Sequence, residues 1–279
     1  MQGAGLRHNY RIGWFSTGRD KAARDLLAAV RDSMASGYIP AEIAFVFCSR
    51  EKGEAPESDR FIKQVNDYGI PLVSFSYDKY RAARAMPNPP TNQPLPDWRL
   101  GYDREVMQRL ERYRPDLGVL AGYMLIAGPE LCRKYDIINL HPALPGGPTG
   151  TWQEVIRRLI GEGAKESGVM MHLVTPELDR GPVVSCCKYP IRGGDFDGPW
   201  TAIKDKPAAE LKEQGEAQPL FARIREEGLK REFPLIIATI RAFARGTIRV
   251  SPTKGIVDAA GNPVNGCDMT GEINELLRG

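Results

Sequence analysis

The chain has 279 residues, 42% hydrophobic and 26% charged, an ordinary globular balance with length enough for a substantial core. Lys+Arg 38 against Asp+Glu 35 leaves +3, too even for a grip on a nucleic-acid backbone, though a local basic groove for a phosphorylated small molecule stays open. No apolar run reaches the roughly 18 residues of a membrane span, and the opening MQGAGLRHNYRIGWF lacks a signal-peptide core, so no membrane partner is expected and the default location is the cytoplasm.

Apolar runs at 11–15, 43–48, 71–75, 117–121 and 137–140 predict buried strands. Amphipathic stretches lie between them. Leu26, Leu27, Val30 and Met34 recur at helical spacing among helix-favouring alanines, as do Phe61, Ile62, Val65 and Tyr68, and then Val106, Leu110 and Tyr113. The alternation predicts an α/β fold, an open, mostly parallel Rossmann-like sheet flanked by helices. Residues 80–98, containing AMPNPPTNQPLPDW, read as a proline-rich loop or insertion. After Ser167, VMMHLVT and PVVSCCKYP predict two strands joined by the turn-like PELDRG. A charged helical stretch follows with Leu220, Ile224 and residues 233–243. From Ser251 the chain has turns and a short polar helix. One domain over 1–250 with a short extension at 251–279 is the expected organisation.

Cys48, Cys132, Cys186, Cys187 and Cys267 form no C-x-x-C pair and show no zinc spacing. Adjacent Cys186 and Cys187 suit a disulfide poorly, so all five read as reduced thiols and no metal is expected. Nothing in the chain specifies an oligomeric state.

Residues 136–150 read DIINLHPALPGGPTG. If Ile137 and Ile138 begin a buried strand, Asn139 and His141 share one face, because strand side chains alternate with a period of two. Pro142 ends the strand, so both polar groups sit at its carboxyl end, where open α/β sheets place ligands. Their Cβ atoms lie ~7 Å apart, within reach of one small substrate group. An amide N–H stabilises a developing oxyanion, and an imidazole does the same or passes a proton, so the pair suits acyl transfer to an amine. A carboxylate is needed to keep the imidazole charged and collect the amine's proton; Asp179, in ELDRGP, is the candidate. Taken singly, an N-x-H or a D-x-G is more commonly incidental. His172, inside the apolar VMMHLVT, reads as a hydrogen-bonded core histidine and His8 as a terminal residue.

The combination is more specific than its parts. Asn139-Leu140-His141-Pro142, followed about 35 residues later by VTPELDRGPV from Val174, resembles the formyltransferase superfamily, closest to its phosphoribosylglycinamide branch. Pro115-Asp116 leading into VLAGYM, Tyr102-Asp103-Arg104-Glu105 just before it, and Phe233-Pro234-Leu235-Ile236 fall in the family's order, a likeness running from about Tyr10 to Val250. The resemblance implies folate-dependent formyl transfer from 10-formyltetrahydrofolate to an amine, glycinamide ribonucleotide first, with Asn139, His141 and Asp179 catalytic. It implies that the pteridine rests against Met124, Leu125, Ile126 and the loop from Val174 to Asp179, with Arg99 near the cleft. It implies that Thr17, Gly18 and Arg19 hold the acceptor's phosphate at a helix N-terminus.

The chain also departs from the family pattern. The first loop, Ser16-Thr17-Gly18-Arg19-Asp20-Lys21, has one glycine, and Asp20 would repel a phosphate or simply cap the helix. Leu125 replaces a basic residue, Leu229-Lys230 a Glu-His pair, and residues 143–150 are altered. Alternatives are another amine such as an amino sugar nucleotide, formyl-folate hydrolysis, or a non-catalytic folate- or nucleotide-binding module. Hydrolases of the superfamily carry an N-terminal regulatory domain, and about ten residues precede the first strand here. Transfer to methionyl-tRNA needs a C-terminal barrel, for which the stretch after Val250 is too short.

Overall fold

The computed structural model describes residues 9–89, 93–204 and 206–278. The strands in chain order are β1 Tyr10–Ser16, β2 Ala41–Cys48, β3 Leu72–Ser74, β4 Leu117–Leu120, β5 Ile137–His141, β6 Glu166–Leu173, β7 Val183–Pro190, β8 Ile248–Val250, β9 Ile256–Asp258 and β10 Cys267–Asp268. Eight make one sheet in the order β10-β7-β6-β5-β4-β1-β2-β3, and β8 and β9 pair separately. From β3 to β5 all neighbours run parallel; β6 is antiparallel to β5 and to β7, and β10 runs parallel to β7. The sheet is open and mostly parallel, as the alternation of apolar runs predicts.

Both faces of the sheet are covered, which is why its strands read as continuous apolar runs rather than alternating ones. In β1, Ile12 and Trp14 enter one core and Phe15 the other. The first core packs on helices Lys21–Ala35, Pro56–Asp67 and Pro219–Ala244 through Leu27, Phe61 and Leu235. The second packs on helices Asp97–Leu110 and Pro129–Lys134 through Val106 and Leu131. A smaller core joins helix Trp152–Gly161 to the start of Pro219–Ala244 through Val155, Leu159, Leu220 and Ile224.

Two stretches differ from the sequence reading. The proline-rich stretch is bracketed by helix: Tyr77–Ala82, capped by the Ser76 hydroxyl, runs into its beginning, and Asp97–Leu110 starts within its end. Pro96 occupies the residue before that second helix, where extended backbone is required and a missing N–H costs little. Residues 90–92 of the stretch lie outside those described. Near the C-terminus, β10 joins the edge of the main sheet, pairing Cys267 with Ser185 and Asp268 with Cys186, and Ile273 of helix Thr270–Leu276 is fully buried in the first core. The five cysteines are free thiols. Among the described residues, no helix is long and apolar enough to cross a membrane.

Candidate active site

Asn139 and His141 lie on one face of β5 at its carboxyl end, and β6 lies antiparallel beside them with His172 directly opposite Asn139. The loop from β6 to β7 then carries Asp179 back over the same edge. Asp179 Oδ2 stands 3.6 Å from His141 Nδ1, and Oδ1 stands 3.5 Å from His172 Nε2. The three residues expected to act together are therefore adjacent, and His172 joins them. The expectation of a hydrogen-bonded, buried His172 holds, but its partner is Asn139: Nε2 lies 3.1 Å from the Asn139 amide nitrogen, and Nδ1 lies 3.1 Å from Leu173 O. With Nδ1–H donating to that carbonyl, Nε2 accepts from Asn139. One amide hydrogen is thereby tethered and the other left for the cleft. The sequence carried one signal for this: a polar residue in an apolar strand, in step with Val174 two residues on. The register of β6 against β5 decides the rest.

Asp179 has φ of +53°, a left-handed conformation that is strained for a non-glycine residue and recurs at functional sites. The strand beside it explains the glycine two residues on. A Cβ on Gly181 would stand 1.7 Å from Leu173 O, so the loop can close over β6 only with glycine there. Burial pushes the Asp179 carboxyl up, but His172 and His141 beside it and the N–H of Gly150, 3.0 Å away, outweigh this and hold its pKa below the ordinary value.

His141 departs from the expected charged imidazole. It is 2% exposed, and burial lowers its pKa; Asp179 and the carbonyl of Pro148 offset this only in part. Nε2–H donates to Pro148 O at 2.8 Å, which leaves the Nδ1 lone pair turned toward Asp179. The group is a base with its conjugate acid's counter-ion already in place. Residues 143–150, although altered in sequence, hold both His141 and Asp179 through backbone groups, which side-chain replacement leaves intact.

These residues open into a cleft of about 380 Å³. Met124, Leu125, Ile126 and Val174 all line it. Met124 is 45% and Leu178 36% exposed, an apolar surface at the cleft mouth suited to a flat heterocycle. Arg99 is placed differently. It is 1% exposed beneath the loop, bonded to Asp103 Oδ1 and to Ile126 O, each at 2.5 Å, while Asp103 Oδ2 accepts from Gly128 N at 2.7 Å. This buried ion pair pins residues 126–128 from below, so Arg99 shapes the cleft wall without facing it.

Of Thr17, Gly18 and Arg19, only Arg19 lines the cleft. Thr17 is turned inward, bonded to Ser49 Oγ and accepting from Met124 N at 3.0 Å. Gly18 takes φ of +61° with no room for a Cβ against Phe61, which accounts for the loop's single glycine. Asp20 caps helix Lys21–Ala35, accepting from Ala23 N at 3.1 Å, and lies 3.6 Å from Arg19. The helix N-terminus is thus already met by the chain's own carboxylate. Helix Pro219–Ala244 presents not Leu229 and Lys230 to the cleft but Arg225 and Glu232, paired at 2.5 Å, with Arg225 4.5 Å above the Trp152 ring. Charges spaced seven apart on one helix face were the available signal for them.

Comparison with known proteins gives a coherent picture. The family model described as formyl transferase matches residues 11–198. The chain is 38% identical over 108 residues to phosphoribosylglycinamide formyltransferase of Escherichia coli, a match covering 38% of this chain and 50% of that protein. It is 29% identical over 177 residues to the enzyme of the same name from Dictyostelium discoideum, covering 59% and 78%. The aligned segment therefore spans half the length of the bacterial relative. Among solved structures, glycinamide ribonucleotide transformylase 1 from Symbiobacterium toebii superposes with a TM-score of 0.64 at 22% identity, covering 92% of this chain and 99% of that one, a likeness of fold.

Proposed function

The chain belongs to the formyl transferase family, and from that premise we propose that it transfers a formyl group from 10-formyltetrahydrofolate to the amine of glycinamide ribonucleotide. The observation that carries the reading is the meeting of Asn139, His141 and Asp179 around one space at the carboxyl end of β5. The names of the relatives and of the structural neighbour support the choice of acceptor.

The cleft fits the donor: its exposed apolar residues Met124 and Leu178, with Leu125 and Val174, would hold the pteridine, and the bound folate supplies the formyl carbon. The tethered Asn139 amide donates its remaining N–H to the carbonyl oxygen as negative charge builds there. His141 takes the proton of the attacking amine at Nδ1, Asp179 stabilises the imidazolium that results, and His141 returns the proton to the folate nitrogen as its bond to the formyl carbon breaks and tetrahydrofolate leaves. Arg99 and Asp103 act at a distance, keeping the 126–128 wall in register.

Arg19 is the residue proposed to meet the acceptor's phosphate. Arg19→Ala should raise the KM for glycinamide ribonucleotide and leave folate binding unchanged. Turnover of an unphosphorylated amine as fast as that of the ribonucleotide would sink this assignment. One observation favours a second reading. Asp20 places a carboxylate at the helix N-terminus where a phosphate would be stabilised, which suits an acceptor that brings no phosphate there, such as water. Incubation with formyl-folate, first alone and then with added amine, separates these: a hydrolase consumes it without the amine, a transferase only with it, and a binding module in neither case.

A further inference from the structure

A second and larger cavity, of about 740 Å³, meets the catalytic cleft at a pair of rings. Phe221 lines this cavity, Trp152 lines the cleft, and their centroids are 5.7 Å apart. Most of the cavity's lining residues lie beyond residue 198, where the family match ends, so a segment outside the shared region builds it.

Its chemistry is one-sided. Arg157, Arg192, Lys204 and Lys206 line it; Lys206 is paired with Glu210 at 2.6 Å, and no carboxylate lines the cavity itself among the described residues. Arg192 Cζ lies 3.4 Å over the Trp200 ring, and its guanidinium donates to Gly163 O and Ala164 O. The walls between the cations are apolar and aromatic, with Trp200, Ile203, Leu211 and Phe221. A second, independent feature points the same way. Gln218 lines the cavity and is 2% exposed; its Oε1 caps helix Pro219–Ala244 by accepting from Phe221 N at 2.5 Å. That contact fixes the amide's orientation and leaves Nε2, fully buried, with no acceptor among the described residues. Buried N–H groups are rarely left so, because the lost solvation is not repaid. An anion supplies both the missing acceptor for Gln218 and negative charge facing Arg157, Arg192 and Lys204.

We propose that this cavity is a second binding site for an organic anion, with its apolar body against Trp200 and Phe221 and its charged group at the Gln218 amide and the surrounding cations. The inference does not depend on which amine the catalytic cleft serves.

The test uses the full chain and the fluorescent probe 8-anilinonaphthalene-1-sulfonate, which has the stated chemistry. Titration should show saturable binding that excess formyl-folate does not displace, since the folate occupies the other cavity. Reversing two exposed charges, Arg157→Glu with Lys204→Glu, should weaken the probe at least tenfold while formyl-folate affinity stays unchanged. The neutral analogue N-phenyl-1-naphthylamine should bind far more weakly than the sulfonate. Competition by phenyl phosphate and by 4-phenylbutyrate then distinguishes phosphate from carboxylate as the preferred head group. Displacement by formyl-folate, equal affinity of the charge-reversed variant, equal affinity of the neutral dye, or no probe binding would each overturn the proposal.

Discussion

Replacing Arg99 by methionine keeps the apolar stem and removes a guanidinium that serves two buried partners. Asp103, 1% exposed, would keep only the Gly128 N–H, and Ile126 O would lose its donor. Removing one partner of a buried ion pair costs about 3–5 kcal/mol. An unsatisfied buried carbonyl adds about 1–3 kcal/mol. The two do not simply sum. Burial already raises the Asp103 pKa, so without Arg99 the carboxyl takes up a proton and limits its own cost. A net loss of about 4 kcal/mol follows. With an unfolding entropy of about 2.1 cal/mol/K per residue over 279 residues, near 0.6 kcal/mol/K in total, the melting temperature should fall by about 7 °C. Arg99→Met with Asp103→Leu removes both charges and should recover most of the loss, because buried pairs are often replaceable by packed apolar residues. Calorimetry on the three proteins measures this, and folate titration should show weaker binding for the single variant, whose 126–128 wall has lost its anchor. A single variant within about 1 kcal/mol of the parent, or a double variant as damaged as the single, would refute the reasoning.

Asn139→Ala and Asp179→Ala should each lower turnover by roughly a hundredfold or more, the usual scale for oxyanion and proton-transfer groups; near-parental activity in a folded variant removes that residue from the mechanism. Because burial depresses the His141 pKa below its ordinary 6.5, the unfolded chain takes up this proton first as pH falls. The resulting stability is complete above about pH 6.5 and is lost as pH drops through the lower folded value. Melting temperatures from pH 7.5 to 5 should decline for the parent and decline less for His141→Asn; parallel curves would contradict the assignment. Gly181→Ala drives a methyl group into the carbonyl of Leu173 and should cost about 3 kcal/mol by denaturant titration, with Asp179 displaced; a loss under 1 kcal/mol would show that the loop can relax.

Much of this protein was legible one residue at a time. Alternating apolar runs and helical spacings specify an open α/β sheet because each strand buries both faces and each helix one. A period of two then puts Asn139 and His141 together, and Pro142 ends the strand behind them. These are local consequences of backbone geometry, and a single chain displays them. What depended on tertiary structure was pairing across distance. Only the antiparallel register of β6 on β5 sets His172 against Asn139, and only burial, balanced against Asp179 and Pro148 O, decides the protonation of His141. The family resemblance places Arg99 near the cleft, but its side chain turns inward because Asp103, four residues on, lies beneath the same loop. β10 is two residues long, too short for any periodicity, and becomes a strand because the edge of β7 offers it partners. Sequence patterns report which face of an element is apolar. Which elements meet, and so which side chains share a hydrogen bond or lose their water, is decided by the folded chain.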